Sequence, residues 1–445
     1  MSSELQTFLD SKHSFTTYDE LLSLVQGYMS NAYESILSSE LTNEDIKLVK
    51  EYIKQYLATY SIHYKDFTED ELTEMLFSDM AEFSFITKYL RNSEKMGLEE
   101  IDINSWEDVD IIIRGTKYKS NERFLSPQHA IDIIRRMLQT SGNVIDDGNP
   151  TALGSLAKNI RITVLKTPVL DDDIGIAASI RIIKKSTLSR DMLSKDTATG
   201  GMLDFLSYSV KYGISVCIAG NTGSGKTSTA SWLMSTLPDE ARIYTIEEGS
   251  REFDLVRRDK DGKVKNSVIH TVTKSTVDKS NDITQETLLD FALRFNPDVI
   301  CVGEMRSSEA FAAQEAARTG HTVITTIHSK TASGAYMRMT TLAKRAYEFD
   351  DDTLMKMMVE AFPIIVFQRQ LEDNSRKITE IIEGEGYVNG ELKYRTLFRY
   401  VVDDNEMKDG KSNVTGHFES VSKISDSLRN ELIQNGLPKR MADFF

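Results

Sequence analysis

The sequence predicts an α/β protein, in which a parallel sheet covered by helices follows an α+β unit and a helical N-terminal extension. Three patterns lead to this prediction. Apolar residues recur at helical spacing before about residue 90, and β-branched residues then cluster in runs of strand length. From about residue 200, short apolar runs alternate with helical segments, which is typical of a parallel sheet buried on both faces.

Length, charge and cysteine content narrow the possible functions. The chain of 445 residues is long enough for two or three domains at roughly 100–200 residues each. Its net charge of −15 argues mildly against a surface built entirely for nucleic acid. The two cysteines, Cys217 and Cys301, interrupt apolar runs and are predicted to be buried in strands. They are too few for a four-cysteine zinc site or a disulfide framework.

No part of the sequence has the features of a membrane-inserted segment. The N-terminus lacks a basic segment followed by an apolar core, and no run of 18 apolar residues occurs. We therefore expect any work at a membrane to go through a partner protein.

Residues 1–92 are predicted to form a helical N-terminal extension. Ile46, Val49, Ile53 and Leu57 recur at the spacing of one helix face. Before the next apolar run, a threonine and a glutamate three residues apart, Thr68 and Glu71, have the spacing of a capping box.

Residues 93–188 are predicted to be an α+β domain. Two strands with a turn are expected in LEEIDINSWEDVDIIIRG, and a helix is expected in SPQHAIDIIRRMLQTSG. The runs NIRITVLKTPVL and GIAASIRIIKKST are predicted to be a pair of strands. The polar residues that follow indicate a linker over 189–199, or a surface helix.

A P-loop occurs where the alternation of strands and helices begins. Gly220, Gly225, Lys226 and Thr227 complete the GxxxxGKT pattern, with an apolar strand before it and a helix after it. The predicted phosphate-binding residues are Gly220, Asn221, Thr222, Gly223, Ser224, Gly225, Lys226, Thr227 and Ser228. Glycines let the backbone curl and offer N–H groups to phosphate oxygens, and the helix N-terminus adds partial positive charge. Lys226 is expected to reach the β- and γ-phosphates of ATP, and Thr227 to bind Mg²⁺.

Carboxylates end two of the following strands. Glu304 ends DVICVGE, and at the carboxyl end of a strand beside the P-loop strand it would point at Mg²⁺ and the attacking water. In IYTIEEGSREF, Glu247, Glu248 and Glu252 lie close together. One carboxylate could hold Mg²⁺ while another orients or deprotonates water, a step worth about 10²–10⁴ in rate. The predicted metal-binding residues are Thr227, Glu247 and Glu304, and the alternative is that the carboxylates are ordinary surface groups.

Two histidines flank the strand TVITTI. His321 and His328 would point to opposite faces of a strand, so they are a poor metal pair. His328 follows the carboxyl end of the strand, where ligands gather in α/β sheets, and could sense the γ-phosphate. The alternative for each is a structural histidine.

Arginines become candidates if subunits share a site. Arg161 and Arg181 lie in the paired strands before the P-loop, while Arg294 and Arg306 flank the strand that ends in Glu304. An arginine donated to a γ-phosphate can be worth roughly 10³–10⁵ in rate. The alternative for each is a surface salt bridge.

A P-loop by itself leaves several classes open. A small-molecule kinase would need an acceptor pocket and a lid, and the sequence suggests neither. A RecA-like nucleic-acid translocase is the alternative function, although the acidic balance argues against it. A scaffold with an inactive site is a further alternative.

Four motifs together resemble the secretion ATPases of the type II/type IV superfamily. After the P-loop come TIEEGSREF, LRFNPDVICVGEMR and TGHTVITTIHS, in the order and spacing of that family. The resemblance covers residues 150–345 most clearly, with PTALGSLAKNIRI, ASIRIIKK and FQRQLEDNSRKITEI extending it to about residues 95–400.

The resemblance implies a RecA-like P-loop ATPase core over residues 200–445, including a C-terminal subregion, and a PAS-like α+β N-terminal domain. It also implies a homo-hexameric cytoplasmic ring at the membrane periphery, using ATP and Mg²⁺. Such a ring powers pilus assembly or retraction, or secretion, through a membrane platform protein. Pilin or secreted substrate is engaged indirectly, and no sequence-specific nucleic-acid binding is expected.

The resemblance also implies roles for single residues. Glu304 corresponds to the Walker B glutamate, Glu247 and Glu252 fall in the acidic box, and His328 falls in the His box. Arg161 and Arg181 match family arginines near the nucleotide.

The sequence departs from the family pattern in two ways. Arg251 stands where the acidic box usually has its second glutamate, and Glu252 comes one residue later. The four-cysteine zinc motif of many members is absent from the sequence. This absence favours the branch that contains Flp/Tad-pilus and conjugative type IV secretion ATPases.

Overall fold

The computed structural model describes residues 17–37, 43–65, 67–140, 142–157, 159–183, 188–274, 279–345, 347–408 and 411–445. The chain divides into two compact units, Met1–Lys184 and Lys185–Phe445. Among the described residues, no helix has the length and apolar character needed to cross a membrane.

The first unit begins with helices that pack on one another. The helices of this unit are α1 (Tyr18–Leu37), α2 (Asn43–Thr59), α3 (Glu69–Ala81), α4 (Ile86–Arg91), α5 (Ser93–Met96) and α6 (Pro127–Gln139). Val49, Ile53 and Leu57 are buried on one face of α2, as their spacing predicts. The capping box at the start of α3 is also confirmed, because Thr68 and Glu71 each bond the other's backbone N–H.

An antiparallel sheet forms the second part of this unit. Its strands are β1 (Leu98–Ile103), β2 (Val109–Ile113), β3 (Thr116–Lys119), β4 (Thr151–Ala157), β5 (Ile160–Lys166) and β6 (Ile176–Ile182). They are hydrogen-bonded in the order β3-β2-β1-β6-β5-β4. The helix α6 lays Ile131, Ile134 and Leu138 into a core with the sheet, which is the face that the sequence predicts. The predicted α+β character is therefore present.

The second unit alternates strands and helices and then becomes a meander of strands. Its helices are α7 (Arg190–Asp196), α8 (Gly200–Lys211), α9 (Lys226–Ser235), α10 (Gln285–Ala292), α11 (Glu309–Arg318), α12 (Gly334–Ala343), α13 (Asp351–Ala361), α14 (Asp426–Gln434) and α15 (Lys439–Ala442). Its strands are β7 (Val216–Gly220), β8 (Arg242–Glu247), β9 (Ser267–Val272), β10 (Val299–Met305), β11 (Thr322–Ile327), β12 (Ile364–Gln370), β13 (Arg376–Val388), β14 (Glu391–Lys408) and β15 (Lys411–Ser420). The predicted linker, 189–199, thus contains the short helix α7.

The strands of the second unit form one sheet in the order β15-β14-β13-β12-β7-β11-β10-β8-β9. From β12 to β9 neighbouring strands run parallel, so their carboxyl ends meet at one edge. The expectation that Glu304 ends a strand beside the P-loop strand is wrong in one respect. The strand β11 pairs with both β7 and β10 and separates them.

Each face of the parallel sheet is covered by helices and buries its own apolar core. One core contains Val216, Ile218 and Cys301, packed with α8 and α9. The other contains Cys217, Ala219 and residues from α10 to α13. Both cysteines are free and fully buried, which confirms their predicted place in core strands.

Candidate nucleotide-binding and catalytic site

The P-loop is the turn between β7 and α9, at the carboxyl edge of the parallel strands. Gly220 is the last residue of β7, and a Cβ there would collide with the main-chain oxygen of Gln368 on β12. Gly225 caps α9 in the left-handed conformation, with φ 95°, which glycine adopts without steric cost. Asn221, Thr222 and Gly223 are exposed, whereas Thr227 and Ser228 are partly buried in the first turn of the helix. The loop is therefore tightly bent and open to solvent at its tip.

Lys226 lies within the curl of this loop and is 8% exposed. Its Nζ donates to the carbonyl oxygens of Gly220, at 3.1 Å, and Asn221, at 2.9 Å. Burial lowers the pKa of the ammonium group, and the negative charge of Glu304 opposes this shift. The site therefore holds a desolvated cation where the motif predicts phosphate.

Glu304 leaves the regular ladder near the end of β10. The pairing of β10 with β11 shifts register between Val302 and Met305, and such irregularities re-aim side chains next to functional sites. The preceding residue is held closely, because Thr326 donates to the Gly303 oxygen at 2.8 Å. A Cβ on Gly303 would lie 3.2 Å from the oxygen of Ile246. Local crowding thus favours glycine before this glutamate.

His328 follows β11 and pairs with Glu304. Its Nε2 lies 3.1 Å from Oε1 of Glu304. Burial of the ring and the nearby charge of Lys226 lower the pKa of His328, while Glu304 and a hydrogen bond to the backbone of Gly220 act in the opposite direction. The structure thus brings His328, Glu304 and Lys226 into one electrostatic cluster.

Arg306 joins the ends of β8 and β10. One guanidinium nitrogen donates to Oε2 of Glu304 at 2.9 Å, and another donates to Oε2 of Glu248 at 2.7 Å. The hydrogen bond to Glu304 raises the pKa of Arg306, and the charges of Glu248 and Glu252 add to the effect. Glu304 is therefore held at both carboxylate oxygens, by His328 and by Arg306.

Glu247 is in a different environment from that expected of a metal ligand. It is 3% exposed. Its Oε2 accepts the backbone N–H groups of Glu252 and Phe253, the latter at 2.9 Å. Its Oε1 lies 3.3 Å from the hydroxyl of Thr245 and 3.7 Å from Nδ1 of His270. This carboxylate organises the chain that follows β8, because both of its oxygens are engaged within the protein.

The structure adds three residues that sequence reasoning missed. Gln368 on β12 and Arg376 on β13 both contact the P-loop. They lie in the segment FQRQLEDNSRKITEI, whose resemblance to the family marked a region but gave no role to single residues. His270 was also missed, and its Nδ1 lies 2.8 Å from the hydroxyl of Thr245 on the neighbouring strand.

The other predicted residues belong to other elements. Arg161 on β5 and Arg181 on β6 are direct cross-strand neighbours in the first unit. His321 precedes β11, at the end of the strand opposite His328. Arg294 follows α10.

Among the described residues, no group of three or more His, Cys, Asp or Glu side chains is arranged to hold a metal ion by itself. The predicted magnesium ligands differ in their surroundings. Thr227 is partly buried in the first turn of α9. The side chain of Glu304 is 23% exposed, whereas Glu247 is enclosed.

A family profile described as "Type II/IV secretion system protein" matches residues 141–400, which is more than half of the chain. The chain belongs to this family. Membership confirms the family predicted from the four motifs and is consistent with an ATP hydrolase. Together with the parallel sheet and its P-loop, it confirms an α/β fold with a RecA-like core and an N-terminal domain.

Similar proteins come from bacteria and archaea. An uncharacterised protein of Methanocaldococcus jannaschii is 25% identical over 332 residues, covering 71% of this chain and 57% of that protein. The type IV secretion system protein VirB11 of Bartonella quintana is 27% identical over 305 residues, covering 58% of this chain and 80% of that protein. The conjugal transfer protein TrbB of Rhizobium radiobacter is 27% identical over 272 residues, covering 60% and 77%.

Solved structures of ATPases and motors are also similar. The ATPase DotB of Legionella pneumophila is 19% identical, with a TM-score of 0.46, covering 81% of this chain and 85% of that chain. The pilus retraction motor PilT with bound ADP is 21% identical, with a TM-score of 0.46, covering 70% and 82%.

Proposed function

We propose that this protein is an ATP hydrolase that works as a ring of six identical chains. In this proposal, hydrolysis drives domain motions that power pilus assembly or retraction, or secretion of protein or DNA. The ring would act in the cytoplasm at the periphery of the membrane, through a membrane platform protein. Pilin or secreted substrate would be moved indirectly, without sequence-specific nucleic-acid binding.

One observation carries the proposal. Lys226 in the P-loop, Glu304 from β10 and His328 from β11 meet at the carboxyl edge of the parallel sheet. Ligands of open α/β sheets bind at this edge. The side chains supply a phosphate-binding cation, a carboxylate and an imidazole within one electrostatic cluster.

The roles follow from the chemistry of each group. The loop N–H groups and Lys226 would bind the phosphate oxygens of ATP. Glu304 is the carboxylate best placed to orient and deprotonate the attacking water, because it is partly exposed and lies beside His328. Glu247 and Glu252 instead shape the loop after β8, since the Glu247 carboxylate binds the backbone there.

Magnesium fits the donors that remain. The Thr227 hydroxyl and the Glu304 carboxylate are oxygen donors of the kind Mg²⁺ prefers, and Mg²⁺ at such sites takes its other ligands from phosphates and water. When bound, the ion would neutralise negative charge on the phosphates. The protein's own contribution is to present these two oxygens next to the Lys226 ammonium group.

Arg161 and Arg181 are proposed to act on the nucleotide phosphates. They are opposite each other on β5 and β6, so they present two positive charges at one place on the first unit. A guanidinium group that reaches the γ-phosphate stabilises the negative charge of the transition state.

The neighbouring genes would identify the cellular system in which this protein works. Prepilin and platform genes beside this one would indicate a pilus of the Flp/Tad type. Relaxase and coupling-protein genes would indicate conjugation, which the similarity to a conjugal transfer protein supports.

Phosphate release from ATP by the purified chain tests the hydrolase. We expect activity in the parent, with Lys226→Ala losing nucleotide binding and Glu304→Gln keeping binding while turnover falls about 10²–10⁴-fold. Lys260→Ala, at an exposed turn, is the matched control and should behave as the parent. An inactive parent, or a fully active Glu304→Gln variant, would contradict the proposed mechanism.

A further inference from the structure

We propose that Arg376, together with Gln368, is a positioning residue that holds the P-loop in its phosphate-binding shape. Both belong to the β12–β13 hairpin, far from the loop in sequence. The inference rests on the proposed function, because it concerns how the same site binds nucleotide.

Arg376 reaches the loop from the first residue of β13. Its Nε donates to the main-chain oxygen of Gly223 at 2.9 Å. Its Cδ lies 3.2 Å from the position that a Cβ on Gly225 would take. A guanidinium donor forms a stronger hydrogen bond than a neutral donor does. The side chain thus fixes one carbonyl of the loop and packs against the turn that starts α9.

Holding that carbonyl fixes the orientation of a whole peptide plane. In a planar trans peptide, the C=O of Gly223 and the N–H of Ser224 point in opposite directions. The Ser224 N–H donates to the Asn221 oxygen, with 3.4 Å between nitrogen and oxygen, and Nζ of Lys226 donates to the same oxygen at 2.9 Å. Arg376 therefore directs the Ser224 N–H toward the side of the loop that the Lys226 ammonium occupies.

Gln368 contacts the P-loop from the neighbouring strand β12. It is 2% exposed and pairs with Gly220 across the β7–β12 ladder. Its Oε1 accepts the hydroxyl of Thr229 on α9 at 2.9 Å. Its Nε2 lies 3.0 Å from the position of a Cβ on Gly225. One residue therefore links the strand before the loop, through its backbone, to the helix after it, through its side chain.

The β14–β15 hairpin stabilises the turn between β12 and β13. The turn between β12 and β13 is itself bonded by β14 and β15, because Asn405 donates to Glu372 at 2.5 Å and the Val414 N–H donates to Asp373 at 3.2 Å. The turn of the hairpin that carries Arg376 is thus anchored by the neighbouring β14–β15 hairpin. A fixed donor loses less entropy on binding than a mobile one, so the contact can preorganise the loop.

Nucleotide binding by Arg376 variants of the full chain tests the inference. We expect Arg376→Ala to bind ATP and ADP about tenfold more weakly, as for one lost charge-assisted hydrogen bond. The KM for ATP should rise more than kcat falls, and the Tm without nucleotide should stay near that of the parent. Arg376→Lys keeps a cationic donor and should recover part of the affinity. Arg399→Ala, an exposed arginine on β14, is the matched control and should leave affinity unchanged.

Thr229→Val tests the part played by Gln368 without changing that buried side chain. It removes the hydroxyl that Gln368 accepts, and we expect affinity for ATP and ADP to fall about threefold. Parent-like affinity in Arg376→Ala, or equal losses in Arg376→Ala and Arg399→Ala, would overturn the inference while leaving the proposed function intact. Parent-like affinity in Thr229→Val would remove Gln368 from it. A parent chain that binds no nucleotide would instead contradict the proposed function.

Discussion

At the scale of single residues, the site is defined by which carboxylate solvent can reach. Glu304 and Glu247 both end strands of the parallel sheet, yet their surroundings differ. The side chain of Glu304 is 23% exposed and bonded to His328 and Arg306. Glu247 is 3% exposed and bonded to backbone N–H groups. Because a water molecule must reach the reacting oxygen, the proposed base is Glu304.

The pH dependence of ATP hydrolysis is predicted from His328. Burial and the charge of Lys226 lower the pKa of this ring below its ordinary value of about 6.5, so the ring is neutral at pH 7. As the pH falls below 6.5, protonation adds positive charge beside Lys226 and withdraws a neutral partner from Glu304. We expect kcat/KM to fall on the acid side in the parent.

The variant His328→Gln tests whether His328 causes this fall of kcat/KM at low pH. Glutamine keeps a hydrogen-bonding side chain that does not titrate, so kcat/KM of the variant should not show this fall at low pH. The free energy of unfolding should change with pH in the same direction, because the unfolded chain takes up a proton at this ring more readily than the native chain does. Stability should therefore also decline as the pH falls through the lowered pKa. If kcat/KM of His328→Gln depends on pH as that of the parent does, the fall at low pH belongs to another group.

At the scale of elements, the segment after β8 depends on one buried carboxylate. Glu247→Ala would leave the N–H groups of Glu252 and Phe253 without their acceptor. Because each buried donor without a partner costs about 1–3 kcal/mol, we expect the free energy of unfolding to fall by about 3 kcal/mol. Denaturant unfolding measures this change.

A second variant separates shape from charge at the same position. Glu247→Gln keeps one acceptor oxygen and should lose about 1 kcal/mol of stability. Glu315→Gln, on the exposed side of α11, is the matched control and should be neutral. If Glu247→Ala unfolds like the parent but loses hydrolysis, Glu247 is a catalytic or magnesium-binding carboxylate after all.

At the scale of the whole molecule, the proposed ring makes a prediction about mass. With ATP and Mg²⁺, light scattering should give a particle of six times the 50.3 kDa chain. We expect nucleotide held by the P-loop to strengthen assembly, so Lys226→Ala should shift the distribution toward smaller species. A particle of 50.3 kDa in the parent under all nucleotide conditions would contradict the ring.

Much of the molecule could be predicted from local patterns in the sequence. The strand before the P-loop, the helix after it and the strands ending in Glu247 and Glu304 have strong apolar runs with clear boundaries. The helices α2, α3 and α6 follow from apolar spacing and caps. These elements depend on residues close together in the chain. The four motifs add the family.

The strands β13 to β15 could not be predicted in the same way. They carry charged residues on exposed faces, as in Glu391–Lys408, so their apolar alternation is weak. They become strands because each pairs with a neighbour already fixed in the sheet. This pairing is a property of the assembled sheet and leaves no strong local pattern.

The sequence by itself determined the P-loop, the carboxylates and histidine available to it, and the family. The tertiary structure decided where these groups lie and how exposed each of them is. It placed β11 between β7, which leads into the P-loop, and β10, which carries Glu304, and it enclosed Glu247 while leaving Glu304 accessible. It also brought Arg376 to Gly223 across 153 positions of the chain. The physical reason is that burial and long-range contacts depend on how strands are ordered in the sheet, whereas a motif records only neighbours along the chain.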